Sequence, residues 1–337
     1  MIHEHSRGPA DRVASGTHQL SSDRQTSFLC GLMKAGGSCG DSVRMRTTVC
    51  SLAALTVLLA GCGQEGTPDS EGPGSGEAPE YTVADDVDLS DSDVWSGAAE
   101  RGLLRIGVKF DQPGLANMAP GETRPAGFDV EIAKLTAAGL GFDESEIEFV
   151  ETFTPNREPF LQQGTVDMVV ASYTINEERK EVVDFAGPYY STGQDFLVME
   201  DSAIQSADDL ADTVVCSVDA STSAMRIEED FPDTELITYD TYPKCLDDVR
   251  AGTADAMTTD DSILRGYAAT EDSGFRVLGE QISEEPYGIG LPKDDESLRN
   301  AINDILEASA EDGTWVEAFD HTLGDSSDVE QPEPERY

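Results

Sequence analysis

The stretch QQGTVDMVVASYTI, residues 162–175, has a counterpart in RAGTADAMTTDDSI, residues 250–263. Each reads as a helix end, a Gly-Thr turn, an aspartate, and a strand whose last residues are polar. A glycine just past a helix and an apolar run bounded by turn residues are the physical marks of an αβ junction. Two copies of the junction predict two similar α/β lobes. In open α/β sheets ligands sit beyond the carboxyl ends of the strands. That places Ser172, Tyr173 and Thr174 at one rim and Thr259, Asp260 and Asp261 at the other.

Outward from these stretches, strands and helices alternate. LLRIGVKF, IEFVET, VDMVVAS and GQDFLVM read as strands. GFDVEIAKLTAAG, REPFLQQG and NEERKEVV read as helices between them, the last capped by Asn176. A second series follows: strands TVVCSV, ELITYD, ADAMTTD and FRVLGE around helices STSAMRIEEDF, YPKCLDDVRAG and DSILRGYAA. Then come PYGIGLP and helical segments over 295–310 and 313–323. Alternation of this kind predicts mainly parallel sheets.

The chain has 337 residues, 67 acids, 22 bases and a formal charge of -45. Such a surface argues against nucleic acid or an anionic membrane face as a partner. It also fits a simply solvated, acid-rich exterior. Near the N-terminus, Arg44 and Arg46 precede the apolar run Val49–Ala60, too short to span a bilayer but the length of a secretory signal core. It ends in Leu59-Ala60-Gly61-Cys62, which resembles a bacterial lipobox; a plain signal peptide with a chance cysteine is the alternative. Residues 1–61 are therefore expected to be a signal region, with 1–44 an over-extended start. Cys62 is the expected lipidation site. Residues 62–84, rich in Gly, Pro, Ser and Glu, read as a tether, and 324–337 as a disordered tail. Cys30, Cys39 and Cys50 precede the cleavage point. Cys216 and Cys245 remain as a disulfide pair expected outside the cytoplasm, or as two buried thiols.

The four histidines are His3, His5, His18 and His321, which leaves little for a His-based triad or a zinc site. No Walker loop and no GxGxxG are present. No cofactor and no metal are expected, and binding is favoured over reaction. Residues 62–337 keep 16 bases against 63 acids, yet Lys109, Arg124, Arg157 and Arg179 all fall near strand ends of the first lobe. Arginine grips a carboxylate with two parallel hydrogen bonds. Ser221, Thr222 and Ser223 open a helix directly after a strand, a second anion site. Asp260 faces these as a carboxylate for an ammonium. Cations plus one acid in a cleft describe an acidic amino acid. The plainer readings are Arg179 paired with Glu178, and Asp260 and Ser221–Ser223 as mere helix caps.

GFDVEIAKLTAAGL, ASYTINEERKEVVDFAGPYY, VCSVDASTS and DAMTTDDSIL together resemble the family 3 solute-binding proteins of polar amino-acid ABC transporters, over about residues 88–324. VKFDQPG, NRE, the Cys216/Cys245 pair and EPYGIGL are most similar to actinobacterial glutamate-binding lipoproteins. Thr136 departs from the family's aliphatic residue, and Ala220 stands where the family has glycine. The resemblance implies an α/β, two-lobed periplasmic-binding-protein type II fold with two mixed, mainly parallel sheets and a two-strand hinge near GQDFLVM and EEPYGIG, residues 85–193 plus 288–323 forming the first lobe and 200–281 the second. It implies that Thr174 and Arg179, helped by Thr222 and neighbouring N–H groups, hold the ligand α-carboxylate, with Ser221 a further ligand-binding candidate at the same helix start. The Ser172 carbonyl and Asp260 would take the α-ammonium. Lys109 and Arg157 are the candidates for the side-chain carboxylate. The expected protein is a monomeric, non-enzymatic lipoprotein on the outer face of the membrane, bound there through its lipid only. It would deliver glutamate, or a related acidic or polar amino acid, to an ABC permease. A cyclohexadienyl-dehydratase-like enzyme and a ligand-sensing module are the alternatives.

Overall fold

The structure, a computed structural model, describes residues 78–270 and 274–337. The readings made for the signal region, Cys62 and most of the tether lie outside the described residues. The chain forms α1 (Asp93–Arg101), β1 (Leu104–Val108), β2 (Asp111–Gln112), β3 (Ala116–Asn117), α2 (Phe128–Gly139), β4 (Ile147–Glu151), α3 (Arg157–Gln162), β5 (Met168–Val169), α4 (Glu177–Lys180) and β6 (Asp184–Thr192). It continues through β7 (Gln194–Met199), β8 (Val214–Val218), α5 (Thr222–Asp230), β9 (Glu235–Tyr239), α6 (Tyr242–Ala251), β10 (Ala256–Asp260), α7 (Asp261–Ala268), β11 (Phe275–Val277), β12 (Glu285–Leu291), α8 (Glu296–Asp312) and α9 (Thr314–Thr322).

Two five-stranded sheets result, ordered β4-β1-β5-β12-β6 and β11-β7-β10-β8-β9. In each, three strands run parallel and the two that follow pair antiparallel. The fold is thus the two-lobed, mixed α/β arrangement of the type II binding proteins. The opening sequence echo has a physical meaning. Gly164 and Gly252 both take a left-handed φ, 64° and 72°. Beyond them the carboxylates of Asp167 and Asp255 accept, each at 2.8 Å, from backbone N–H groups at the start of the adjacent strands, Arg105 N and Val214 N. Their own backbone N–H groups return the bond to Arg105 O and Val214 O. The repeated Gly-Thr-x-Asp is a strand-start clamp used once per sheet.

The chain crosses between sheets where β6 runs into β7 and where β11 leads to β12. The crossings lie side by side: Thr192 pairs Glu285, and Ile282 N donates to Gln194 O at 2.8 Å. Gly193 sits in this junction, and a Cβ there would come within 2.4 Å of Ser283 O, so only glycine lets the crossings touch.

Two readings needed correction. The helix expected over 176–183 is the single turn of α4, after which the chain enters β6, a strand the sequence reading does not contain. Pro188 hides it, yet a proline is tolerated because β6 is the sheet's edge. The segment 324–337, read as disordered from composition, lies along that edge. Glu335 N donates to Gly187 O at 2.7 Å, Phe185 N donates to Tyr337 Oη at 2.9 Å, and Arg336 pairs with Asp304 and Glu307. Charged and aromatic contacts, not an apolar pattern, hold it.

Thr136 is fully buried in α2, and its hydroxyl has no partner among the described residues. Thr136→Val is expected to raise stability by about 1–3 kcal/mol, since it removes an unpaired buried polar group at constant shape. Urea unfolding of both proteins, compared at the midpoint, checks this. Among the described residues no helix is long and apolar enough to cross a membrane.

Candidate functional site

Between the two sheets lies a small, narrow cavity lined by Arg157, Ser172, Thr174 and Arg179 from the first lobe and Ser221, Thr222 and Asp260 from the second. Seven of the eight ligand-contact residues expected from the sequence therefore meet in one place. The eighth, Lys109, is buried behind the wall and donates to Thr154 Oγ1 at 2.7 Å. Arg124, the other cation placed near a strand end, is on the surface, with Glu144 and the Phe149 ring as partners. Its strand-end position in sequence faces solvent, because the loop between β3 and α2 turns outward.

The first-lobe wall grows from the end of β5. Ser172 takes φ 41°, a left-handed value that costs a non-glycine residue about 1–2 kcal/mol. Its N–H donates to Asp129 Oδ2 at 2.8 Å and its hydroxyl to Gln112 Oε1 at 2.9 Å. Burial pushes the Asp129 carboxyl up to about 6, against the bonds from Tyr189 and Ser172. Asn176 caps α4 by accepting from Arg179 N at 2.8 Å, and this fixes where the arginine starts. Arg179 Nη1 donates to Thr174 O at 2.6 Å. It does not pair with Glu178; its carboxylate neighbour is Glu158, 3.6 Å away.

Arg157 and Arg179 both stack on the Tyr173 ring, at 4.2 and 5.0 Å. Tyr173 Oη donates to Glu158 Oε1 at 2.5 Å. The Tyr173 ring thus holds two buried guanidiniums together, and Glu158 is shared between its hydroxyl and Arg179. Their proximity still has a cost: burial first, then Arg157, pulls Arg179 down to about 10. Arg157 also donates to the carbonyls of Ala171 and Ser172 at 3.3 Å. The Ser172 carbonyl is therefore already in use by a cation.

The second-lobe wall is built from two helix starts. Ser221 is a true N-cap of α5, accepting from Ala224 N at 3.0 Å. Ala220 before it has φ 57°, which explains why glycine suits this position in relatives of the pattern. Thr222 Oγ1 donates to Glu285 Oε2 at 2.9 Å, so its hydroxyl proton points away from the cavity and its backbone N–H is what remains for an anion. Asp260 begins α7 but makes no side-chain cap bond. Instead its Oδ2 accepts from Tyr287 Oη at 2.6 Å, and its buried Oδ1 has no partner among the described residues. Burial, with the charge of Glu285 next, pushes this carboxyl up to about 7. Burial, with Arg157 next, pushes the Lys109 ammonium down to about 7.

Contacts between lobes close the cleft. Tyr287 reaches Asp260, Thr222 and Arg226 reach Glu285, and Asp111 takes Tyr242 N and the Tyr267 hydroxyl. Gln112, Thr154, Tyr242 and Thr259 also line the cavity, though only the last stood at a rim in the sequence. Gln112 and Glu158 do fall inside the quoted stretches VKFDQPG and NRE, the one signal that points to them. Cys216 of β8 and Cys245 of α6 form a disulfide. Among the described residues no group of His, Cys, Asp and Glu is placed to hold a metal ion. The arrangement offers two guanidiniums and a helix start to anions, and one unpaired carboxylate oxygen to a cation.

The sequence family described as bacterial extracellular solute-binding proteins, family 3, matches residues 104–325. The glutamate-binding protein GluB of Corynebacterium efficiens is 40% identical over 72% of this chain and 86% of its own length. The ABC transporter glutamine-binding protein GlnH of Bacillus subtilis is 35% identical over 78% and 91%. Among solved structures, the ancestral amino acid-binding protein AncCDT-1, described as a precursor of cyclohexadienyl dehydratase, superposes with a TM-score of 0.62. It is 31% identical over 68% of this chain and 99% of that one.

Proposed function

Because the chain belongs to the bacterial extracellular solute-binding proteins of family 3, we propose that it captures an acidic amino acid, glutamate first, in the interlobe cleft and passes it to an ABC permease. Residues 85–193 and 288–323 act as one lobe and 200–281 as the other, closing over the ligand about the two crossings. Cys62 anchors the protein by a lipid outside the cytoplasm, and it works as a monomer. The observation that carries this reading is the presence of Arg157 and Arg179 in the same cavity as Asp260, whose Oδ1 has no partner among the described residues. In it, Arg179, Thr174 and the α5 N-terminus beginning at Ser221 and Thr222 hold the α-carboxylate. Asp260 takes the α-ammonium, Arg157 meets the side-chain carboxylate, and Lys109 acts from behind through Thr154. A thermal-shift screen of the twenty amino acids tests it: glutamate should give the largest rise, and no rise with any amino acid would contradict it. An enzyme reading is disfavoured by the names of the relatives, which are binding proteins.

Affinity should follow the ionisation of Asp260. Its folded carboxyl sits at about 7, and an ammonium selects the ionised form, so binding below that pH must expel a proton. Affinity for glutamate is expected to fall about fivefold from pH 7 to pH 6. Lys109, also near 7, loses its charge as pH rises and weakens anion binding on the alkaline side. Calorimetry across pH 5–9 should give a maximum near 7; a flat profile would remove Asp260 from the ammonium site.

Closure depends on Gly266 of α7, where a Cβ would lie 2.1 Å from Pro113 O of the other lobe. Gly266→Ala should hold the lobes apart and weaken binding about tenfold or more. Alanine should nonetheless favour the helix by roughly 0.5–1 kcal/mol. Lower affinity with unreduced ligand-free melting temperature is the expected pair of readings.

A further inference from the structure

Resting on the amino-acid-binding reading above, we infer that Gln112, Thr154 and Tyr242 form a proton-donating subsite that selects a ligand side chain ending in a carboxylate and discriminates against the corresponding amide. Each of these groups can both donate and accept. In this fold a neighbour already donates to each, which takes an acceptor lone pair and leaves the group's own proton to give. Ser172 Oγ donates to Gln112 Oε1 at 2.9 Å, which fixes the amide with its nitrogen free. Lys109 Nζ donates to Thr154 Oγ1 at 2.7 Å. Thr259 Oγ1 donates to Tyr242 Oη at 2.7 Å. Gln112 Nε2 and the hydroxyl protons of Thr154 and Tyr242 have no acceptor among the described residues, and all three residues line the cavity. Arg157, a donor by nature, lines it beside them.

The three relays therefore bias amphoteric groups toward donating into the cavity. Lys109 stops one hydroxyl short of the cavity, yet its proton sets the polarity of Thr154. A carboxylate presents only lone pairs and can satisfy several of these protons at once. An amide presents one oxygen and two protons of its own, and leaves buried donors facing donors. Sites built on hydrogen bonds reject the wrong partner strongly, because the buried groups are then unpaired.

The test is calorimetry of the purified protein with glutamate and with glutamine, on the native sequence, Tyr242→Phe and Gln112→Glu, with thermal unfolding as the folding control. The native protein should prefer glutamate by about 100-fold or more, the size of one or two charge-assisted bonds. Tyr242→Phe keeps the ring and deletes one proton, so glutamate affinity should fall about 10-fold or more while glutamine affinity moves far less. Gln112→Glu replaces the free amide with an acceptor and should shift the ratio toward glutamine by about 100-fold or more. If the native protein binds glutamine as tightly as glutamate, this inference fails while the amino-acid-binding reading stands. If glutamate is preferred but both variants keep the native ratio, these residues do not form the subsite. If no amino acid binds at all, the binding reading itself fails. A variant that does not fold leaves the other variant and the native ratio to decide.

Discussion

Replacing Arg179 with alanine is expected to lower glutamate affinity by about 10²- to 10³-fold. The guanidinium is buried, anchored through Thr174 O and stacked on Tyr173, so it meets a carboxylate without reorganising. Deleting one partner of a buried, hydrogen-bonded charge pair costs about 2–5 kcal/mol, largely because the other charge is left unpaired. Arg179→Lys should recover little of this, since a lysine cannot reproduce the fork. Arg124→Ala serves as the control: this arginine is exposed, far from the cavity lining, and its loss should leave affinity unchanged. Calorimetry on the three variants reads all of this. Native affinity in Arg179→Ala would show that the arginine serves only to hold α4.

Replacing both Cys216 and Cys245 with alanine should cost about 3–4 kcal/mol of stability, the chain-entropy value for a loop closed over 29 residues. For a chain of this size that corresponds to about 5–7 °C in melting temperature. The bond joins β8, which leads to the Ser221 cap, to α6, which carries Tyr242 into the cleft. The loss should therefore appear in ligand affinity too, by a smaller factor. Differential scanning calorimetry with and without reductant, with thiols counted, measures it. Full reduction without a change in melting temperature would show that the loop is held by packing alone.

The two-lobed fold was legible because it rests on local chemistry. The Gly-Thr-x-Asp repeat is a strand-start clamp, the Asn176 and Ser221 caps are short-range, and the helix faces follow their period. The cavity wall was legible for the same reason: it gathers residues from strand ends and helix starts. What the sequence could not give is partner choice over distance. Whether Asp260 is a cap or a free carboxylate depends on Tyr287, 27 residues on. The direction of the Thr222 hydroxyl depends on Glu285, 63 residues on. Lys109 and Arg124 look alike in sequence, yet one is walled in behind Thr154 and the other lies in solvent. Strand β6 escaped because an edge strand tolerates a proline that argues against a strand elsewhere.

The central claim is that this cleft holds one acidic amino acid between two arginines and Asp260. Isothermal titration of the purified protein at pH 7 with glutamate, aspartate and glutamine tests it most directly. The account predicts one ligand per chain, with glutamate bound most tightly. No heat with any of the three, or a preference for glutamine, would contradict it.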